Sequence, residues 1–338
     1  MHATSEFLHP YDVGLILTYK CQCACKHCMF NCGPAWEEWM TLENIQEALQ
    51  MILALGSVRQ IHFTGGEPFL NFPLLLAGVQ AAKETGLPQY LETNAGWCVS
   101  VDQVDEQFAL LKEAGLTVIS ISCSPFHAET IPLTRTLLAI DRALAIFGSH
   151  RVMVDNVEMI NQIQRFGTRT PTPLYRYIEA YGNEPAGLLF WKGNELKSSG
   201  RAGYTLGDLA SRYEPEEFRR MDCLEELLTS EQASFDPYGN YIPSACGGLA
   251  LGSWHHIEEI AYDDWLTANL PSQHNLILKT LIHNGPYGLY NVAIRDYDYM
   301  KLNTGYVDKC HLCVDVRRHL ANQEHWDSLA PVGFYHYF

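Results

Sequence analysis

Apolar residues recur along the first 190 positions in two alternating rhythms. Leu42, Ile45, Leu49 and Ile52 fall at helical spacing, as do Val101, Val104, Phe108 and Leu111. Between such stretches lie short runs of another kind: "VGLILTY" (13–19), "QIHFT" (60–64), "QYLET" (89–93), "TVISIS" (117–122), "RVMVDNV" (151–157) and "GLLFW" (187–191). A glycine follows each helical stretch, at Gly56, Gly86, Gly115, Gly148 and Gly182, where the left-handed conformation that ends a helix suits glycine best. Thr41, Asn71 and Ser100 sit at N-cap positions, and Ser100 with Gln103 has capping-box spacing. The repeat of about 30 residues is that of strand–helix crossovers, so six parallel strands are expected.

Two of these runs are polar on one side. Ser120, Ser122 and Ser124 oppose Ile119, Ile121 and Cys123, while Tyr90, Glu92 and Asn94 oppose Leu91 and Thr93. A flat parallel sheet covered by helices on both faces would be apolar throughout. The expected class is therefore α/β: a partial (β/α)6 TIM-like barrel, helices outside and a polar cavity within. Past about residue 215 the rhythm changes. "SFDPYGNYIP" (234–243) reads as a hairpin, with Asp236, Pro237 and Gly239 in the turn. The expected division is a barrel over 1–214 and a small α+β domain over 215–338. "NQIQRFGTRTPTP" (161–173) reads as a mobile loop close to the site.

Composition narrows the function. The net charge is −16, and the basic runs "FRR" and "VRR" are too short to form a patch, so no nucleic-acid partner is expected. A cationic substrate stays open. No apolar run is long enough to span a bilayer, and "MHATSEFLHP" lacks the basic and apolar regions of a signal peptide. A soluble, cytoplasmic protein without membrane partners is expected. The eleven cysteines are odd in number and too sparse for a disulfide scaffold, which in a reducing compartment points to metal ligands.

"CQCACKHC" (21–28) packs four cysteines into eight positions. Cys25 and Cys28 could begin a zinc site completed by Cys310 and Cys313. A ferredoxin-type run would need cysteine at position 22, where Gln22 stands. The third choice is Cys21, Cys25 and Cys28, spaced C-x3-C-x2-C after the first strand. Three thiolates on a four-iron cubane leave one iron open, and an open position invites a substrate or cofactor. After the second strand comes "FTGGEPFLNF", in which Gly65 and Gly66 let a backbone approach a ligand closely.

Together these two motifs resemble the radical S-adenosylmethionine (radical SAM) superfamily. The resemblance implies a six-stranded partial barrel over the N-terminal two-thirds. It implies a [4Fe–4S] cluster with one open iron on Cys21, Cys25 and Cys28, and S-adenosyl-L-methionine at that iron with Gly65, Gly66 and Glu67 beside its methionine moiety. Asn94 in "ETNAG" matches a TNG-like strand end, with Ala95 in the usual glycine place. His27 stands where the family often has an aromatic residue. Ser120, Ser122 and Glu92 are candidates to hold the adenosine, and Cys23 and Cys32 are expected bystanders. One electron passed to the sulfonium would release a 5′-deoxyadenosyl radical that takes hydrogen from a substrate carbon. His127 in "SPFHAETIP" is a candidate catalytic residue, and Arg135 and Arg201 could pair with a carboxylate.

"FDPYGNYIPSAC" followed by "LGS" resembles the SPASM or Twitch extensions of such enzymes. That implies a second, auxiliary [4Fe–4S] cluster on Cys223, Cys246, Cys310 and Cys313, with zinc on the same residues as the alternative. Cys223 is also a candidate hydrogen-atom donor, as in radical epimerases, because "CKHCMFNCGP" is similar to the "CxHCxFxCxP" of some peptide epimerases. The expected substrate is a ribosomally made peptide, to be epimerised or otherwise matured, with a reductant such as flavodoxin or ferredoxin. A sugar, nucleoside or amino acid undergoing epimerisation, dehydrogenation or decarboxylation is the second reading. A non-catalytic iron–sulfur or zinc protein is a reading of another class. With twenty residues before Cys21, no leader-binding domain is expected there, so peptide recognition would fall to the cavity, the C-terminal part or another protein.

Overall fold

A computed structural model of the chain describes residues 8–188, 190–191, 196–243, 246–260 and 276–338. Five parallel strands follow the predicted order: β1 (Asp12–Ile16), β2 (Gln60–Thr64), β3 (Gln89–Thr93), β4 (Val118–Ser122) and β5 (Val152–Asp155). Helices α1 (Leu42–Leu55), α2 (Phe72–Lys83), α3 (Val101–Ala114), α4 (Pro125–Ala128) and α5 (Leu133–Phe147) connect them. The helical stripes bury as read: Ile45, Leu49 and Ile52 of α1 and Val104, Phe108 and Leu111 of α3 lie in the core, whereas Val101 at the first turn of α3 is 48% exposed.

The caps also hold. Asn71 and Ser100 accept from the backbone N–H three residues on. The reciprocal box forms at α1, where Thr41 Oγ1 accepts from Asn44 N–H at 3.1 Å and Asn44 Oδ1 accepts from Thr41 N–H at 3.2 Å. Thr41→Ala is expected to lower stability by about 1 kcal/mol, read as a lower urea midpoint at unchanged slope.

The sixth parallel strand is not where the apolar run placed it. Residues up to Leu188 of "GLLFW" belong to helix Asn183–Leu188, and Leu189 lies outside the described residues. Four apolar residues suit a buried helix as well as a strand, and Pro185 is tolerated in a first helical turn because its missing N–H would have no helical partner there. Instead β6 (Gln232–Phe235) pairs in parallel with β1, and the predicted hairpin carries the sheet on through β7 (Asn240–Pro243) and β8 (Gly252–Ser253). The sheet order is β5-β4-β3-β2-β1-β6-β7-β8. The strand that completes the parallel set thus comes from beyond the expected boundary at 214.

Asp236 fixes the hairpin turn. Its Oδ1 accepts from Tyr238 and Asn240 N–H at 2.9 Å each, and its Oδ2 accepts from the Tyr19 hydroxyl at 2.9 Å. The turn is thereby tied to the segment leading into the cysteine loop. Residues 161–164 end helix α6 (Val157–Gln164) rather than forming a loop. The rest of the predicted loop is pinned, with Thr172 N–H donating to Ala128 O at 2.7 Å.

The register confirms the polar inner face. Gly14 stands beside His62, His62 beside Tyr90, Glu92 beside Ser120 and Ser122 beside Asp155. These groups satisfy one another: Asp12 accepts from Tyr90 Oη and pairs with His62 Nδ1, both at 2.8 Å, and Thr64 Oγ1 donates to Glu92. Among the described residues no helix is long and apolar enough to cross a membrane.

Candidate functional site

Beyond β1 the chain leaves the sheet and returns on itself. Cys21 N–H donates to Gly33 O and Gly33 N–H to Tyr19 O, both at 3.1 Å, which closes the neck of the cysteine loop. Arg201 clamps its body. At 6% exposure, its guanidinium donates to Cys25 O at 2.9 Å, to Cys32 O, and to Tyr337 O at 3.3 Å. This corrects the expectation of a carboxylate partner: the loop turns its carbonyls inward, and the buried arginine satisfies them. Arg135 likewise donates to a carbonyl, that of Gly96.

The glycines after β2 serve a contact between chain segments. Gly66 N–H donates to Thr18 O at 2.8 Å and Glu67 N–H to Lys20 O at 2.9 Å. A Cβ on Gly66 would lie 1.9 Å from Lys20 O, and one on Gly65, whose φ is +129°, 2.3 Å from Thr18 O. Glu67 is fully buried. Its carboxylate accepts from the Thr93 hydroxyl at 2.8 Å, Asn94 N–H at 2.9 Å and Phe69 N–H at 3.2 Å, so it ties this loop to the end of β3. Burial pushes its pKa up to about 7 despite these three donors. Asn94 continues the chain of contacts, donating to Cys21 Sγ at 3.4 Å and accepting from Gln22 Nε2 at 2.7 Å. Ala95 has φ +60°, the left-handed conformation that glycine adopts most easily.

These loops enclose one cavity at the C-terminal ends of β2, β3 and β4. Cys21, Cys25, Cys28, Gly65, Gly66 and Asn94 line it, with Ser122, His127 and Glu92. Two sequence candidates fall outside its lining: Glu67, committed as above, and Ser120, buried beside Asp155. Cys23 and Cys32, expected bystanders, do line it. His127 Nδ1 bonds Ser124 Oγ at 2.8 Å, and burial pushes its pKa down to about 4, so the ring is neutral near pH 7. The His27 ring stacks on Phe126 at 4.7 Å and meets His127 edge-on at 5.0 Å. Thr64 also lines the cavity, which its place at the end of a strand could have indicated.

A second cavity gathers Cys223, Cys246, Cys310 and Cys313. Cys310 and Cys313 stand about one turn apart at the start of helix Lys309–Ala321, whose cap Asp308 accepts from Cys310 and His311 N–H at 2.9 Å each. Cys223 is placed by the kink of helix Leu276–Tyr297: Gly285 there has φ +62°, and a Cβ on it would lie 1.8 Å from Met221 O. Cys223 N–H then donates to Leu281 O at 3.1 Å.

Among the described residues no three His, Cys, Asp or Glu side chains converge as one ion requires. A cubane binds each thiolate at a different iron, so thiols that line a cavity without converging on one point are compatible with a cluster.

Residues 15–164 match the family profile described as the Radical SAM superfamily. A GTP 3′,8-cyclase of Corynebacterium glutamicum is 34% identical over 194 residues, covering 51% of this chain and 47% of that protein. YydG of Bacillus subtilis, whose name provisionally assigns it to peptide biosynthesis, is 28% identical over 124 residues, covering 37% of this chain and 39% of that protein. The crystal structure of BtrN in complex with AdoMet and 2-DOIA is 14% identical with a TM-score of 0.44, covering 74% of this chain and 81% of that one. The matches span less than half the length of these two sequence relatives. The profile lies on the strands and loops that build the first cavity, so it is residues 15–164 that match the radical SAM domain, a domain whose superfamily uses a [4Fe–4S] cluster and S-adenosylmethionine.

Proposed function

We propose that this enzyme takes a hydrogen atom from an unactivated carbon of a ribosomally made peptide, in epimerisation or another maturation step. The observation that carries the reading is the convergence of Cys21, Cys25 and Cys28 with Gly65, Gly66 and Asn94 on one cavity. Those three thiolates would hold a [4Fe–4S] cluster, which would supply the electron for reductive cleavage of S-adenosylmethionine. The chain's own residues do the rest. Arg201 holds the loop that carries the thiols, Glu67 and Asn94 lock the neighbouring loops against it, and Ser122 and Glu92 offer polar contacts on the cavity floor. His127, neutral near pH 7, is poised to orient substrate by hydrogen bonding rather than by charge.

Among the described residues no lysine or arginine lines this cavity, while Glu92 does. Likeness to YydG supports the peptide; likeness to a GTP cyclase keeps a small molecule, such as a sugar, nucleoside or amino acid, as the second reading. We assign the four C-terminal cysteines to an auxiliary [4Fe–4S] cluster in a Twitch-like extension. All eleven cysteines are free, which suits the reducing cytoplasm and electron supply from a flavodoxin or ferredoxin.

Iron-reconstituted protein, reduced anaerobically and given S-adenosylmethionine, is expected to release 5′-deoxyadenosine; no release would overturn the reading. Turnover of a peptide encoded beside the gene, run in D2O, separates the roles of Cys223. Solvent deuterium at the modified carbon, lost in Cys223→Ala, marks Cys223 as the donor, and no deuterium in the product counts against a thiol donor.

A further inference from the structure

Helix Lys309–Ala321 presents three residues to the second cavity at helical spacing: Cys310, Cys313 and, one turn on, Arg317. Arg317 is 1% exposed. Its Nη1 donates to Gly247 O at 3.1 Å and to the Tyr335 hydroxyl at 2.9 Å, while its Nε has no hydrogen-bond partner. Among the described residues no aspartate or glutamate forms an ion pair with it. Glu226, which shares the cavity, is paired instead with Lys309 at 2.5 Å. A buried guanidinium without a counter-anion is strongly disfavoured, so an anion belongs in front of it. The four cysteines are the groups in the cavity that can supply one, once a metal centre holds them as thiolates.

We propose that Arg317 is the counter-charge of the iron–sulfur cluster held by Cys223, Cys246, Cys310 and Cys313, a positioning residue that raises that cluster's reduction potential. The inference rests on the auxiliary-cluster assignment above. A cluster on four thiolates is already anionic, and reduction adds one more negative charge. A cation fixed beside it in a water-poor cavity stabilises the reduced form more than the oxidised one. The surrounding leucines, Leu227, Leu249 and Leu281, keep that field from being screened by solvent.

The test uses the full chain with alanine at Cys21, Cys25 and Cys28, so that only the C-terminal site carries iron. After anaerobic reconstitution, iron and zinc are counted and the cluster is titrated potentiometrically by electron paramagnetic resonance. Arg317→Met is expected to keep its iron and to lose at least tenfold in reduced-to-oxidised ratio at fixed potential, ~59 mV for a one-electron couple. Arg317→Lys, which keeps the charge, is expected to stay within a few-fold of the parent. Should the methionine variant fail to fold, Arg317→Gln, which retains a donor without the charge, carries the same expectation. A neutral variant with full iron and the parent's potential overturns the role of Arg317 and leaves the cluster standing. A parent that binds zinc or no iron overturns the cluster assignment itself.

Discussion

Gly66→Ala is expected to cut 5′-deoxyadenosine formation by at least ~100-fold, the scale on which a misplacement of about 1 Å acts on a reacting group. The added methyl would meet Lys20 O at 1.9 Å, Lys20 C at 2.4 Å and Tyr19 C at 2.9 Å. All three are backbone atoms, so no side chain can swing aside to relieve the clash. The loop after β2 must instead draw away from the neck of the cysteine loop, breaking the bonds from Gly66 N–H to Thr18 O and from Glu67 N–H to Lys20 O. The cysteines themselves are untouched, so iron content should fall far less than the rate. Gly56→Ala is the matched control. Its φ is +70° but open space surrounds the would-be Cβ, so it should cost about 1 kcal/mol of stability and leave the rate alone. Equal rates for Gly66→Ala and the parent would show that the contact between these loops does not position the site.

What could be read from the chain alone follows a physical divide. Cys21, Cys25 and Cys28 are neighbours in sequence, so their spacing already fixes that they share one loop. Alternation of Ser120 and Ser122 with Ile119 and Ile121 exposes a polar sheet face because side chains on a strand must alternate. Partners distant in sequence leave no such trace. Nothing local in "SSGRAG" shows that Arg201 reaches Cys25 O, nor does "GGEP" reveal that Gly65 packs against the backbone of Thr18 and Gly66 against that of Lys20. The sixth strand failed for the same reason: "GLLFW" is apolar in either conformation, and only pairing with β1 selects "QASF" (232–235) in its place. Arg317 was within reach, since its spacing from Cys313 puts both on one helix face.

Glu67 should contribute a loss of ~3 kcal/mol of stability as pH rises from about 4.5 to about 7. Its carboxyl moves from an ordinary value of 4.5 to about 7 in the folded chain, because burial outweighs the donors Asn94 N–H, the Thr93 hydroxyl and Phe69 N–H. Between those values the folded chain keeps a proton that the unfolded chain has released. The stabilising contribution is therefore fully present below 4.5, declines through the window, and is gone once pH passes the folded value. Asp236, pushed up to about 6 by its own burial, adds a slope of the same sign, and His127, pushed down to about 4, adds one of the opposite sign, so the parent's curve alone cannot single out Glu67. The difference between parent and Glu67→Gln can. Glutamine cannot ionise, which removes this part of the slope, and an amide placed with its NH2 against Asn94 N–H should cost about 1–3 kcal/mol where the parent is protonated. Urea unfolding from pH 4.5 to 8 should thus give two curves that converge as pH rises. Curves that stay parallel would mean that Glu67 is already ionised in the folded chain at low pH, and that its three hydrogen bonds overcome the penalty of burial.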